Sequence, residues 1–320
     1  MGERCLVTGA AGFIGSHLAE QLLAEGRSVV GVDSFTDYYA RVLKQRNLAG
    51  LLTASGFEFI EANLLKIDLA ELLRSRRIQW IFHQAGQAGV RGSFGSNFDE
   101  YVDNNVRATQ QLLEAALRHP VRKFVNASSS SIYGDALALP TSEDNLPQPI
   151  SPYGVTKLAA ERLALVYWRN FSVPTISLRY FTVYGPRQRP DMAFHRFILA
   201  ALEGRPVMLF GDGEQSRDFT YISDIIRANL QAMECSESGI VLNIGGGGRH
   251  SVREVLQLLG AQVGRSLEVQ SAPRPPGDAL HTAADISLAR RVLGYAPKVS
   301  LPEGLSRQVE FMRETPEDRN

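Results

Sequence analysis

Three glycines, Gly9, Gly12 and Gly15, constrain this chain more than any other feature. They lie between a short apolar run, Arg4-Cys5-Leu6-Val7-Thr8, and residues 14–24, which carry helical periodicity. Glycines at that spacing allow a tight strand-to-helix turn. They also let a pyrophosphate approach the helix N-terminus, where unpaired amides and the helix dipole favour an anion. A second apolar run, residues 28–32, ends in Asp33. An acid there accepts hydrogen bonds from the adenosine ribose and repels a 2′-phosphate, so the pattern points to NAD over NADP. The simpler reading of Asp33 is a turn cap.

Further strands are predicted at residues 57–60, 80–82 and 123–125, with long helices from 97 to about 118 and from 152 to about 170. Apolar strands alternating with amphipathic helices predict an α/β fold, a doubly wound parallel sheet of the Rossmann type. After Arg179 the pattern breaks at Pro186, Pro190, Pro206, Pro273, Pro275, Pro276, Pro297 and Pro302. That predicts a first lobe over residues 1–180 and a smaller mixed α/β lobe over 181–320, with some segments returning to the first. Gly245 to Gly248 reads as a turn before a helix capped by Ser251. Residues 315–320 read as disordered.

Lys plus Arg and Asp plus Glu both total 34, so the chain carries no net charge and neither nucleic acid nor a membrane surface is an expected partner. A polyanionic ligand would need local arginines. Two cysteines, Cys5 and Cys235, make no disulfide framework, and Cys5 reads as a buried strand residue. With no signal-peptide pattern and no run long enough to span a bilayer, a cytoplasmic location is the default. No metal site is expected.

Tyr153 and Lys157 stand one helical turn apart, after the hydroxyl run Ser128-Ser129-Ser130-Ser131. A free phenol titrates near 10, and bringing it toward 7 takes about 4 kcal/mol of preference for the phenolate. An adjacent ammonium and a positive nicotinamide ring are suited to supply that. Ser129 would share the proton of a substrate hydroxyl and orient it. Alone, without the glycine turn, the spacing reads better as a core tyrosine and a solvated lysine.

Together these features resemble the extended branch of the short-chain dehydrogenase/reductase family over nearly the whole chain. The matching residues are Gly9-x-x-Gly12-x-x-Gly15, Asp33, His83-Gln84-Ala85-Gly86, Asn104-Asn105, Ser128-Ser129-Ser130 and Tyr153-x-x-x-Lys157, then Gly211-Asp212-Gly213 and Arg217-Asp218-Phe219-x-Tyr221-Ile222-x-Asp224. The resemblance implies that the first lobe binds NAD and the second a nucleotide sugar. It implies Ser129, Tyr153 and Lys157 as the catalytic triad, with Lys157 also on the nicotinamide ribose. Phe13, Ile14, Asn63, Leu64, Gln84, Ala85, Gly86 and Asn104 join the glycines and Asp33 around the cofactor. Asn63 departs from the Asp that many relatives carry near the adenine. A homodimer through the helices at 97–118 and 152–170 is also implied.

In this branch the sugar C4 is oxidised to a ketone, and neighbouring residues decide the fate of that ketone. Dehydratases of the branch place Asp-Glu after the catalytic hydroxyl, and decarboxylases keep a Glu at the position of Ser131; here Ser130-Ser131 stands instead. The run Arg179 to Met192, ending Arg189-Pro190-Asp191-Met192, is similar to UDP-glucuronate 4-epimerases, as is Gln87-Ala88-Gly89-Val90-Arg91. By that resemblance Thr182 and Arg189 hold the sugar carboxylate, backed by Ser130 and Ser131. The local alternative is that Arg189 pairs with Asp191. Arg217 is implied as a phosphate ligand, with Arg274 as a second candidate, although relatives often carry that Arg where Pro275 stands. Asp278 would meet the nucleotide ribose; Arg274 and Asp278 read equally as turn residues. The leading expectation is 4-epimerisation of UDP-glucuronate with recycled NAD and no decarboxylation. A neutral UDP-hexose epimerase and a UDP-glucuronate decarboxylase are the alternatives. A dinucleotide sensor would not need the Tyr-Lys pair, and a net dehydrogenase would release reduced cofactor.

Overall fold

The computed structural model describes residues 3–136 and 138–315. The chain runs β1 (Arg4–Thr8), α1 (Phe13–Ala24), β2 (Ser28–Asp33), α2 (Arg41–Leu52), β3 (Phe57–Glu61), α3 (Leu69–Ser75) and β4 (Trp80–His83). It continues through α4 (Phe98–Tyr101), a π-helical stretch over Val102–Arg107, α5 (Ala108–Arg118), β5 (Lys123–Ser129), α6 (Pro152–Phe171) and β6 (Thr175–Tyr180). Next come β7 (Val183–Tyr184), α7 (Ala193–Glu203), β8 (Val207–Phe210), β9 (Ser216–Arg217), β10 (Thr220–Tyr221), α8 (Ile222–Glu234) and β11 (Ile240–Ile244). The chain closes with β12 (His250–Ser251), α9 (Val252–Val263), β13 (Val269–Ala272), α10 (Ser287–Leu293) and α11 (Leu301–Glu314).

Seven parallel strands form the main sheet in the order β11-β6-β5-β4-β1-β2-β3. Both faces are buried, and successive residues feed opposite cores. Val7, Phe82 and Val125 pack into one cluster, while Leu6, Ile81 and Phe124 pack into the other. This explains why the strands read as continuous apolar runs and not as alternating ones. Helix α1 packs on α8, whereas α3 and α6 both pack on α5. The strand order reverses between β1 and β4. In such sheets the crevice beyond the strand C-termini at the reversal is where ligands bind.

Two strands of the sheet, β6 and β11, escape the sequence reading. β6 carries Arg179, whose charge is concealed by a buried partner; β11 carries Asn243, fully buried and bonded to Thr141 and Tyr133. Beyond β6 the chain builds short strand pairs, β10 with β7, β12 with β9 and β13 with β8, against α7, α9 and α11. Ser251 caps α9 in a capping box with Glu254, as its sequence predicts. Thr315 closes α11; residues 316–320, the rest of the tail expected to be disordered, lie outside the described residues.

Candidate active site

The glycine turn is built by exclusion. A Cβ on Gly15 would sit 2.1 Å from the Gly9 carbonyl oxygen, and one on Gly9 would sit 2.8 Å from the Ala85 nitrogen. Gly9 also has φ +71°, a conformation favouring glycine. The start of α1 is therefore drawn tightly onto the ends of β1 and β4. Asp33 closes the next loop, its Oδ2 accepting from the Ala11 amide (3.1 Å) and its Oδ1 from the Phe35 amide (2.8 Å). It thus caps the turn, as the simpler reading has it, and also lines the cavity where the ribose reading would place it. Burial raises its carboxyl, while the backbone donors and Lys44 favour the ionised form.

One cavity collects the residues assigned to the cofactor. Gly9, Gly12, Phe13, Ile14, Gly15 and Asp33 line one side. Asn63, Leu64, Gln84, Ala85, Gly86 and Asn104 line the other. Asn63 Oδ1 accepts from the Leu65 amide, holding the loop after β3. Gln84 bonds Asn229 and Tyr180, and Asn104 donates to the Glu100 carbonyl. A glycine cradle closed to a Cβ at Gly9 and Gly15, with an acid ending β2, fits a dinucleotide. Tyr38 and Lys44 also line this cavity and were not legible as site residues.

A second cavity of about 460 Å³ adjoins it, within the roughly 300–1,000 Å³ usual for small-ligand sites. Ser129 enters it from the end of β5 and Tyr153 from the first turn of α6, whose N-terminus is fixed by Ser151 capping Gly154. Burial pushes the Tyr153 phenol up; hydrogen bonding with Ser129 and the Arg189 guanidinium oppose that. Lys157, one turn on, is buried, with its Nζ beside Gly86. Its ammonium is drawn down to about 8 by burial, with Glu161 pulling the other way. The predicted lysine–phenol coupling is thus weaker than the burial of either group.

Behind the pair lies a network that sequence reasoning missed. Glu161, on the same helix, accepts from Arg179 Nη2 at 2.7 Å and Nε at 2.8 Å and from the Ser128 hydroxyl at 2.7 Å. Arg179 Nη1 donates to the Tyr133 hydroxyl. The signal present was an arginine inside a strand, with a glutamate four residues beyond Lys157.

Ser130, Ser131, Thr182, Arg189, Arg217, Arg274 and Asp278 all line the second cavity. Arg189 makes the local pairing with Asp191 and also lines the cavity. Its Nε and Nη2 donate to Asp191 at 2.9 and 3.1 Å. Arg217 donates to the carbonyls of Ser216, Ala279 and Leu280, and Asp278 pairs with Arg91 at 2.8 Å. Arg91 and Arg196, both lining the cavity, place their guanidinium carbons 4.3 and 5.3 Å from the Phe210 ring centre. Arg91 closes the Gln87–Arg91 motif and was the more accessible to sequence; Arg196 is hidden in an apolar helix.

The NAD dependent epimerase/dehydratase family model matches residues 5–245. The chain belongs to that family. It is 46% identical over 311 residues to the uncharacterized UDP-glucose epimerase YtcB of Bacillus subtilis, covering 97% of this chain and 98% of that protein. It is 38% identical to a UDP-glucuronate 4-epimerase of Thermodesulfobacterium geofontis, covering 97% and 96%. The crystal structure of a UDP-glucuronic acid 4-epimerase from Bacillus cereus, with UDP-glucuronic acid and NAD, superposes with a TM-score of 0.94. That chain is 46% identical, with 97% of this chain and 99% of that one covered.

Proposed function

We propose that this enzyme inverts C4 of UDP-glucuronic acid to give UDP-galacturonic acid through a transient 4-keto sugar. The observation that carries the reading is that Arg189 and Thr182 line the same cavity as Ser129 and Tyr153. Gly9, Gly12, Gly15 and Asp33 would hold NAD, which when bound takes the C4 hydrogen as hydride and returns it to the opposite face.

Tyr153 Oη takes the proton of the C4 hydroxyl, and Ser129 shares and orients it. Lys157 supplies positive charge behind the phenol and meets the nicotinamide ribose. A 4-keto uronate is a β-keto acid and loses carbon dioxide when its carboxylate bond stands perpendicular to the ketone. Arg189 and Thr182, backed by Ser130 and Ser131, hold the carboxylate away from that geometry while the ring turns over. Neither Ser130 nor Ser131 can act as an acid for dehydration. Arg91, Arg196, Arg217 and Arg274 supply the cationic end that a neutral protein needs for a diphosphate, and Asp278, which lines the same cavity, meets the nucleotide ribose.

A neutral UDP-hexose is the second reading, favoured by the pairing of Arg189 with Asp191, which leaves that wall without net charge. A homodimer through α5 and α6 is supported by Val155, Val166 and Phe171, exposed on α6. A cytoplasmic location is supported by the two free cysteines, and no helix among the described residues is long and apolar enough to cross a membrane.

Arg189→Ala and Thr182→Ala test the clamp. Loss of a charge-assisted hydrogen bond is worth about 1.5–3 kcal/mol, so Arg189→Ala is expected to lower kcat/KM for UDP-glucuronate by roughly 10- to 150-fold. In both variants product shifts from epimer toward decarboxylated pentose. Loss of activity with no pentose formed contradicts the clamp.

A further inference from the structure

Among the described residues the hydrogen bonds of Arg189 run along one edge of its guanidinium, whose carbon also lies 5.8 Å from the centre of the Tyr38 ring. Nε and Nη2 of Arg189 donate to the two carboxylate oxygens of Asp191, at 2.9 and 3.1 Å. A guanidinium carries five N–H donors in one plane, so this pairing spends two and leaves the edge formed by Nη1 and the second Nη2 hydrogen. The direction of that remaining edge is set by Asp191. Asp191 is itself tethered, because the Tyr38 hydroxyl donates to its Oδ2 at 3.1 Å.

Tyr38 comes from elsewhere in the fold, on the segment between β2 and α2, and lines both the cofactor cavity and the sugar cavity. Its hydroxyl fits against Gly89, where a Cβ would lie 2.0 Å from the phenolic oxygen and where φ is +98°. The loop carrying Arg189 and Asp191 is anchored independently by Arg187, which pairs with Glu20 on α1 at 2.5 Å. The segment after β2 therefore reaches the carboxylate, carried after β7, that touches the proposed clamp, and the segment after β4 packs on the hydroxyl that makes this contact.

We propose that Tyr38 and Asp191 are positioning residues for Arg189, fixing the plane in which its free edge meets the sugar carboxylate. The inference rests on the uronate reading and deepens it. An unanchored arginine still attracts a carboxylate but no longer dictates its torsion about the bond to the ring. Attraction governs affinity, whereas that torsion governs whether the keto acid keeps its carbon dioxide. The positioning pair thus acts mainly on how the product partitions.

The test uses the full-length enzyme as purified, with Tyr38→Phe and Asp191→Asn. Tyr38→Phe removes one hydroxyl and leaves both charges; Asp191→Asn keeps the shape and one acceptor. Products from UDP-glucuronate are resolved by NMR, and calorimetry gives the ratio of Kd for UDP-glucuronate to Kd for UDP-glucose. Tyr38→Phe is expected to raise the pentose-to-epimer ratio by roughly two- to tenfold, since only part of the weight of its hydrogen bond to the Asp191 carboxylate is passed on to Arg189, and Asp191→Asn by about tenfold or more. The Kd ratio changes little in Tyr38→Phe, and in Asp191→Asn it moves toward the uronate as the wall gains positive charge. A pentose-to-epimer ratio unchanged in both variants overturns the proposal. So does an Asp191→Asn enzyme that leaks less, which would make Asp191 a competitor for Arg189. A wild-type enzyme inert toward UDP-glucuronate overturns the uronate reading itself, an outcome distinct from active wild type with unshifted variants.

Discussion

Replacing Lys157 with methionine should abolish catalysis and, at neutral pH, make the protein more stable. Lys157 is buried, and burial draws its ammonium down from an ordinary 10.5 to about 8 against the pull of Glu161. In the unfolded chain the same group is solvated and titrates at its ordinary value. Between pH 8 and 10.5 the unfolded state therefore binds more protons than the native state, and stability rises with pH across that window. Below pH 8 both states hold the proton and the full cost of burying it remains. At about 1.4 kcal/mol per pH unit the interval amounts to about 3 kcal/mol. Methionine has a similar reach and no charge to desolvate, and Glu161 keeps Arg179 as its partner. Lys157→Met should thus gain up to about 3 kcal/mol at pH 7, or roughly 4–5 °C in Tm for a chain of 320 residues. The gain should shrink toward zero as pH approaches 10.5. Urea unfolding of both proteins at pH 7 and pH 9.5, in the same cofactor state, measures it. A variant no more stable at pH 7, or a gain that does not fall at pH 9.5, refutes the reasoning.

Glu161→Gln strands Arg179 in the interior and should cost about 3–5 kcal/mol in urea unfolding. Glu71→Gln, which breaks an exposed pair with Arg74, should cost under about 1 kcal/mol; equal losses would contradict the assigned burial. Asp33→Ala removes the acceptor of the Ala11 and Phe35 amides and the proposed ribose ligand. It should weaken NAD binding by roughly 10- to 100-fold, read from fluorescence titration and from cofactor retained after gel filtration. Undiminished retention would leave Asp33 as a turn cap alone.

Strands β1, β2, β4 and β5 were legible as apolar runs with both faces covered, and the half-buried edge strand β3 from Phe57, Phe59 and Ile60. The glycine turn was legible because its steric demand admits no other residue. Tyr153 and Lys157 were legible from the helical period. Strands β6 and β11 were not, since their polar residues, Arg179 and Asn243, are satisfied by partners distant in sequence. The π-helical stretch at Val102–Arg107 leaves no periodic signature; it places Asn105 Nδ2 on the Gln87 carbonyl and the Thr156 hydroxyl. Every residue expected around the sugar does line one cavity, but the partners that orient them came only from the fold. Tyr38 behind Asp191 and Arg91 on Asp278 are contacts between segments that no local pattern joins.

The most direct test is to incubate the purified enzyme with UDP-glucuronic acid, without added NAD, and track the products by NMR and absorbance at 340 nm. The account predicts UDP-galacturonic acid at equilibrium with its epimer, no more than a trace of decarboxylated pentose and no accumulating NADH. An inert uronate alongside rapid turnover of UDP-glucose would contradict it.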